Sequence, residues 1–242
     1  MAPSDGTLSR RGFIGGVGAA AAVGAGLGGL GGLAVPAYAG AANEEPSTPD
    51  GALAALIEGN RRYRTGRWTR RDYSPVGEER ASKQAPFAAI LACADSRVSP
   101  PLIFDVERGN LFAAHVAGNS IDDGSAGSLE YAVAVLSVPL VMVLGHTDCG
   151  AVKSAMDVVS GKASFPSETF GSIGAVVDPV VPAVQSVPEP ERSLDHCIVA
   201  NARVQAHALS IRGPVLPPAI RSGALRIVSA VYQIASGRVV LV

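Results

Sequence analysis

Apolar residues along this chain gather into short continuous runs from Pro86 onward. Phe87–Ala92 (FAAILA), Leu111–Val116 and Leu140–Leu144 (LVMVL) are each of strand length and lack the alternation of a half-exposed strand. Between the last two, Ser125–Ser137 sets Leu129, Val133 and Leu136 at helical spacing. Strands apolar on both faces and separated by helices predict right-handed βαβ crossovers and a largely parallel sheet. Downstream, Leu194–Ser210 has a helical pattern and Pro217-Pro218 begins a short helix. Leu225–Val228 then turns through Ala235-Ser236-Gly237 into Arg238–Leu241, an antiparallel pair at the sheet edge. Upstream, Leu53, Leu56, Ile57 and Tyr63 share one face of a helix over Ala52–Tyr63. The expected fold is α/β: a mainly parallel β-sheet flanked by helices, with an antiparallel edge strand, in one catalytic-size domain over 51–242.

The first fifty residues follow a different pattern. Ser9-Arg10-Arg11-Gly12-Phe13-Ile14 precedes an uncharged Gly/Ala/Val/Leu run to Val35, and Ala37-Tyr38-Ala39 closes it with small residues. A charged start, a weakly apolar middle and an A-x-A site read as an export signal over 1–39, and the paired arginines make it a twin-arginine type. The run is long enough for a membrane anchor, but its glycines make it a poor spanning helix. Cleavage would leave a secreted or extracytoplasmic protein with no stable membrane span. Residues 40–50, polar and proline-containing, read as a linker.

Composition narrows the function. With 48% hydrophobic residues the chain is not disordered, and a net charge of -1 excludes a nucleic-acid binder working by bulk electrostatics. Three cysteines are too few, and odd in number, for a disulfide scaffold. Six arginines between positions 61 and 71, broken by Tyr63, Gly66 and Trp68, fit a solvated face or interface rim better than an anion-binding surface.

Two segments carry chemistry. Cys93-Ala94-Asp95-Ser96-Arg97 directly follows the Phe87–Ala92 strand, and His146-Thr147-Asp148-Cys149-Gly150 follows Leu140–Leu144. Both therefore lie at carboxyl ends of strands, where open α/β sheets bind ligands. His146 and Cys149, three apart across a strand-to-helix turn, can reach one ion, with Cys93 arriving from a neighbouring strand. Two thiolates and an imidazole leave one tetrahedral position of Zn2+ open, which is the pattern of catalytic zinc. Asp95 can sit beside that position or fill it. Arg97 can hold the carboxylate in a bidentate pair, ionised and off the metal, so that it accepts a hydrogen bond from zinc-activated water. Each residue alone has a plainer reading: Cys93 a buried thiol, His146 a core histidine, Asp95 with Arg97 a turn pair, Cys93 with Cys149 a disulfide. Together at two adjacent strand ends they point to metal catalysis.

These motifs resemble the β-class carbonic anhydrases, and the resemblance runs from about Ala52 to Val242. Gly59-Asn60-Arg61-Arg62-Tyr63, Ala117-Gly118-Asn119, Leu129-Glu130-Tyr131-Ala132 and the closing Leu225–Val242 hairpin fit it too. It implies zinc-dependent, reversible hydration of CO2 to bicarbonate, with Cys93, His146 and Cys149 as ligands and Asp95 with Arg97 as the catalytic dyad. It further implies that Gln84, nine residues before Cys93, hydrogen-bonds CO2 or bicarbonate across a dimer interface. Phe112 and Tyr131 would line a small apolar pocket, and Gly150 of the second motif would face the substrate. The implied assembly is a homodimer or homotetramer with active sites at the interface.

The sequence also departs from that pattern. His115-Val116 stands where the family usually has Arg-Asn, which removes a guanidinium and leaves His115 either to pack at the interface or to shuttle a proton. Ile90 stands where the bicarbonate-regulated branch has Trp, so no such anion site is expected, and Asp95 should stay off the metal. Cys197, with His196 and His207 on its helix, reads as a buried small hydrophobe, and Asp148 as a turn residue. Two other functions fit parts of the pattern: hydrolysis of carbonyl sulfide or carbon disulfide by the same zinc hydroxide, and a non-enzymatic zinc-binding or redox module.

Overall fold

The computed structural model describes residues 46–71 and 84–242. The export signal expected at 1–39, and the linker as far as residue 45, lie outside the described residues. Helix α1 (Pro49–Arg64) starts earlier than its apolar face suggests, inside the end of the expected linker. Thr48 caps it by accepting from the Gly51 N–H, Pro49 occupies the first turn, Asp50 sits near the positive end, and Arg61, Arg62 and Arg64 sit near the negative end.

The chain continues through β1 (Ala88–Ala92), the one-turn α2 (Pro100–Ile103), β2 (Leu111–His115), α3 (Asp123–Ala134), β3 (Leu140–His146) and α4 (Gly150–Val159). Short helices α5 (Ser167–Phe170), α6 (Ile173–Val177) and α7 (Val181–Gln185) lead to α8 (Leu194–Ser210), α9 (Leu216–Arg221), β4 (Arg226–Gln233) and β5 (Arg238–Leu241). The strands form one sheet in the order β2-β1-β3-β4-β5; every pairing is parallel except the antiparallel β4–β5 edge. This is the expected α/β architecture. The segment from Ser160 to Arg192, which carries no regular hydrophobic period, holds the short helices that sequence pattern leaves unassigned.

Every residue of β1 and β3 is buried, as their unbroken apolar runs require. One face of the sheet packs Ala88, Ile90, Met142 and Leu144 against Ala52 and Leu56 of α1. The other packs Ala89, Leu91, Val141 and Val143 against Leu129 of α3, Leu209 of α8 and Leu216 of α9. Full burial of the leucine, isoleucine, valine and methionine side chains among them is worth about 1.5–3 kcal/mol each. A third cluster, at the carboxyl ends of the strands, joins Cys93 and Cys149 to Val152, Val180, Val184, Cys197 and Ile198. Cys197 is fully buried there, as expected of a small hydrophobe.

Helix α1 meets the rest at close range. A Cβ on Gly59 would lie 1.8 Å from the Phe104 carbonyl oxygen, so only glycine permits this approach. The neighbouring Asn60 is buried but fully used: its amide donates to the Ile103 and Gly237 carbonyls, and its oxygen accepts from the Val239 N–H. The arginine run over 61–71 is only partly a solvated face. Arg62 and Arg71 turn inward to Asp105, a buried carboxylate that also accepts from the N–H and hydroxyl of Thr69.

Candidate metal centre

Cys93 sits one residue beyond β1, and His146 ends β3, the strand beside it. Cys149 follows a tight turn and precedes α4. The turn is fixed from several sides. The Thr147 N–H donates to the Tyr232 carbonyl on β4, the Thr147 hydroxyl accepts from the Ile234 N–H, and Asp148 takes a left-handed φ of 64°. Asp148 is exposed and paired with Lys153, in keeping with a turn role.

One ligand atom from each of Cys93, His146 and Cys149 lies within 4.8 Å of the others, and all three residues are buried. The cysteines are free thiols, so the disulfide alternative is not realised. The His146 Nδ1–H donates to the Thr147 carbonyl at 3.0 Å, which leaves Nε2 as the atom with a lone pair. That Nε2 is buried and has no hydrogen-bond partner. An orphaned imidazole nitrogen facing two sulfurs is a donor set suited to zinc.

The two sulfurs behave as a coupled pair. Cys93 is pushed down to about 4, first by a hydrogen bond from Cys149 and then, against the cost of burial, by His146 and the N–H groups of Gly118 and Asp95. Cys149 is pushed up by the neighbouring Cys93 sulfur and by burial. Without a cation the pair keeps one proton; a cation holding both sulfurs displaces it.

Asp95 lies beside this cluster, its Oδ2 4.0 Å from His146 Nε2. Arg97 binds both carboxylate oxygens, Nε to Oδ1 at 2.9 Å and Nη2 to Oδ2 at 2.7 Å, and its backbone N–H adds a bond to Oδ1. This fork, more than any other contact, holds the Asp95 carboxyl well below the usual carboxylate range. Asp95 is therefore ionised and turned to Arg97. Ile90 is fully buried in the core.

The structure thus brings together five of the site residues read from sequence. Residues 88–239 match the carbonic anhydrase family. The chain belongs to the β-class carbonic anhydrases. It is 39% identical over 204 residues to the Mycobacterium tuberculosis protein named "Carbonic anhydrase 2", covering 81% of this chain and 93% of that one. A Mycolicibacterium smegmatis carbonic anhydrase is 34% identical over 200 residues, covering 81% and 94%. Among solved structures, that of the β-carbonic anhydrase CcaA superposes with a TM-score of 0.59 at 26% identity, covering 78% of this chain and 94% of that one.

The substrate-side residues expected of a β-carbonic anhydrase are placed differently. Gln84 is exposed ahead of β1, and the Ala85 and Phe87 N–H groups donate to the Gly109 and Asn110 carbonyls just before β2. Phe112 pairs with Ala89, four residues or about 13 Å before Cys93, and packs on the α3 face of the sheet. Tyr131 is exposed on α3. Gly150 sits next to Cys149 at the start of α4, with open space where a Cβ would project. Of these four, only Gly150 adjoins the metal-binding cluster within one chain. Sequence reasoning passed over Asn201 and Gln205, buried polar residues four apart on α8 that reach the turn beside Cys93. The signal was available: both are amides on a helix whose neighbouring positions are apolar.

Proposed function

We propose that this chain catalyses the reversible hydration of carbon dioxide to bicarbonate and a proton, with Cys93, His146 and Cys149 holding zinc. The observation that carries the reading is the convergence of three buried ligand atoms, with His146 Nε2 orphaned, beside an Asp95 carboxylate forked by Arg97. Bound there, zinc supplies the Lewis acidity that makes water a nucleophile near neutral pH.

The chain's own residues do the rest. Asp95, kept ionised by Arg97, accepts a hydrogen bond from the attacking water and turns its lone pair toward the carbon of CO2. Arg97, by binding both Asp95 oxygens, would keep that carboxylate from binding the zinc itself. His115 Nδ1 lies 3.1 Å from the Cys93 carbonyl; a carbonyl only accepts, so Nδ1 carries a hydrogen, and the residue is exposed. That supports His115 as the group passing the product proton to buffer.

The substrate side is built by two chains. The partner's amide at position 84 binds the substrate oxygens, Phe112 and Tyr131 wall the pocket at the interface, and Gly150 leaves room beside Cys149. This makes the active species a homodimer or a pair of dimers. The exposure of Gln84, ahead of β1, leaves its amide free to meet a neighbouring chain. The chain is exported through the twin-arginine pathway by residues 1–39, folding and taking up zinc before its thiols meet an oxidising exterior. Among the described residues no helix is long and apolar enough to cross a membrane.

Asp95→Asn tests the reading. Retained zinc with most of the CO2 hydration lost supports it. Wild-type protein that holds zinc and hydrates no CO2 would instead fit a binding or redox module, which has no use for the Asp95–Arg97 fork. Hydrolysis of carbonyl sulfide or carbon disulfide shares these residues, and no feature of the site favours it.

A further inference from the structure

Cys93 receives a contact that the proposed chemistry does not account for. The Gly118 N–H donates to its sulfur at 3.3 Å. Gly118 lies in the turn Ala117–Asn119, where it and Asn119 both take left-handed φ values, 71° and 45°. Such backbone is strained for asparagine and persists only where its surroundings over-determine it. A Cβ at Gly118 would meet Ala151 at 3.0 Å and Val180 at 3.1 Å, so the turn is wedged against the helix that follows Cys149.

The other end of Gly118 is held from α8. The Asn201 amide donates to the Gly118 carbonyl at 2.8 Å. Gln205, one helical turn on, donates to Asn201 Oδ1 at 3.2 Å and to the Pro179 carbonyl at 2.9 Å, and its oxygen accepts from the Ile121 N–H at 3.0 Å. Both side chains are nearly inaccessible to solvent, at 1% and 3% exposure. Two linked buried amides thus hold the carbonyl of Gly118 and the chain three residues on, while the N–H of that glycine points at a metal-binding sulfur.

We infer that Asn201 and Gln205 are positioning residues for the metal centre: they aim the Gly118 N–H at Cys93 and so set how strongly that sulfur donates to the ion. The inference rests on the zinc site proposed above. A hydrogen bond to a thiolate withdraws electron density from it and fixes its direction. Losing such an outer partner costs 10–100-fold in metal affinity in comparable sites.

The test uses the full chain as purified with zinc, and the same protein exchanged with cobalt. Asn201→Leu removes the donor to Gly118 and keeps the branched side-chain skeleton. Leu209→Ala, a buried position on the same helix in a different core cluster, controls for general loosening. Expected for Asn201→Leu are a 10–100-fold loss of zinc in competition with a chelator and a shifted sulfur-to-cobalt charge-transfer band, neither of which Leu209→Ala reproduces. Should Asn201→Leu not fold, Gln205→Met should show the same two changes, smaller in size. Unchanged affinity and spectrum in the variant that folds overturn the inference and leave the zinc site standing, as do equal changes in Leu209→Ala. Wild-type protein that binds neither metal overturns both.

Discussion

Arg97 grips Asp95 through both carboxylate oxygens and thereby parks that carboxylate 4.0 Å from the free nitrogen of His146. The pair is partly open to solvent, Arg97 about half exposed and Asp95 largely covered, so its worth lies in direction more than in stability. Arg97→Ala should release Asp95 to swing onto the metal. CO2 hydration should fall by about 100-fold or more while zinc content stays at one per chain. Arg97→Lys, a point charge without the fork, should recover only part of the loss. Loss of zinc in step with activity would show Arg97 to be structural.

If Gln84 serves the neighbouring chain, two damaged proteins should repair each other. Gln84→Ala and Asp95→Asn homodimers should each be impaired. Mixed and allowed to exchange subunits, they form heterodimers with one site doubly damaged and one intact, so activity should rise above that of either parent. No rise, with exchange verified by mass, would place Gln84 and Asp95 in the same chain's site or show Gln84 to be dispensable.

Asp105, just past α2, ties α1 and the chain after it together through Arg62, Arg71 and Thr69. Burial pushes its carboxyl up, but those donors outweigh burial and lower it overall. A carboxyl lowered in the folded state stabilises above its unfolded pKa of about 3.9, and that contribution fades as pH falls toward the folded value. Asp105→Asn should therefore cost about 1–3 kcal/mol at pH 7 in urea unfolding. The gap to wild type should narrow at pH 3. A gap of equal size at both pH values would contradict the assignment.

Export is tested by fusing residues 1–45 to a reporter that must fold in the cytoplasm before leaving it. Secretion should depend on the Arg10-Arg11 pair. Indifference to replacement of both by lysine would reject the twin-arginine route.

Much of the site was legible because its signals are local. Unbroken apolar runs announced β1 and β3, and the chemistry sits one to five residues past their ends, so strand prediction placed Cys93, Asp95, Arg97, His146 and Cys149 almost at once. The helix Leu194–Ser210 was legible to the residue for the same reason: its period is strong. What escaped depends on partners far away in sequence. Nothing near Asn201 tells that it holds Gly118, 83 residues earlier. Nothing near Arg71 tells that it is spoken for by Asp105, and the run of arginines around it reads as surface. The start of α1 was missed because a cap and a proline, not apolar residues, define it.

The most direct measurement is stopped-flow CO2 hydration on purified protein, with zinc quantified in the same samples before chelation, after chelation and after zinc is restored. Hydration should follow metal content, reach its maximum at one zinc per chain, and be absent in a folded Cys149→Ser variant that holds no zinc. A folded, fully zinc-loaded wild type that hydrates CO2 no faster than buffer would contradict the reading, as would full activity in protein stripped of metal.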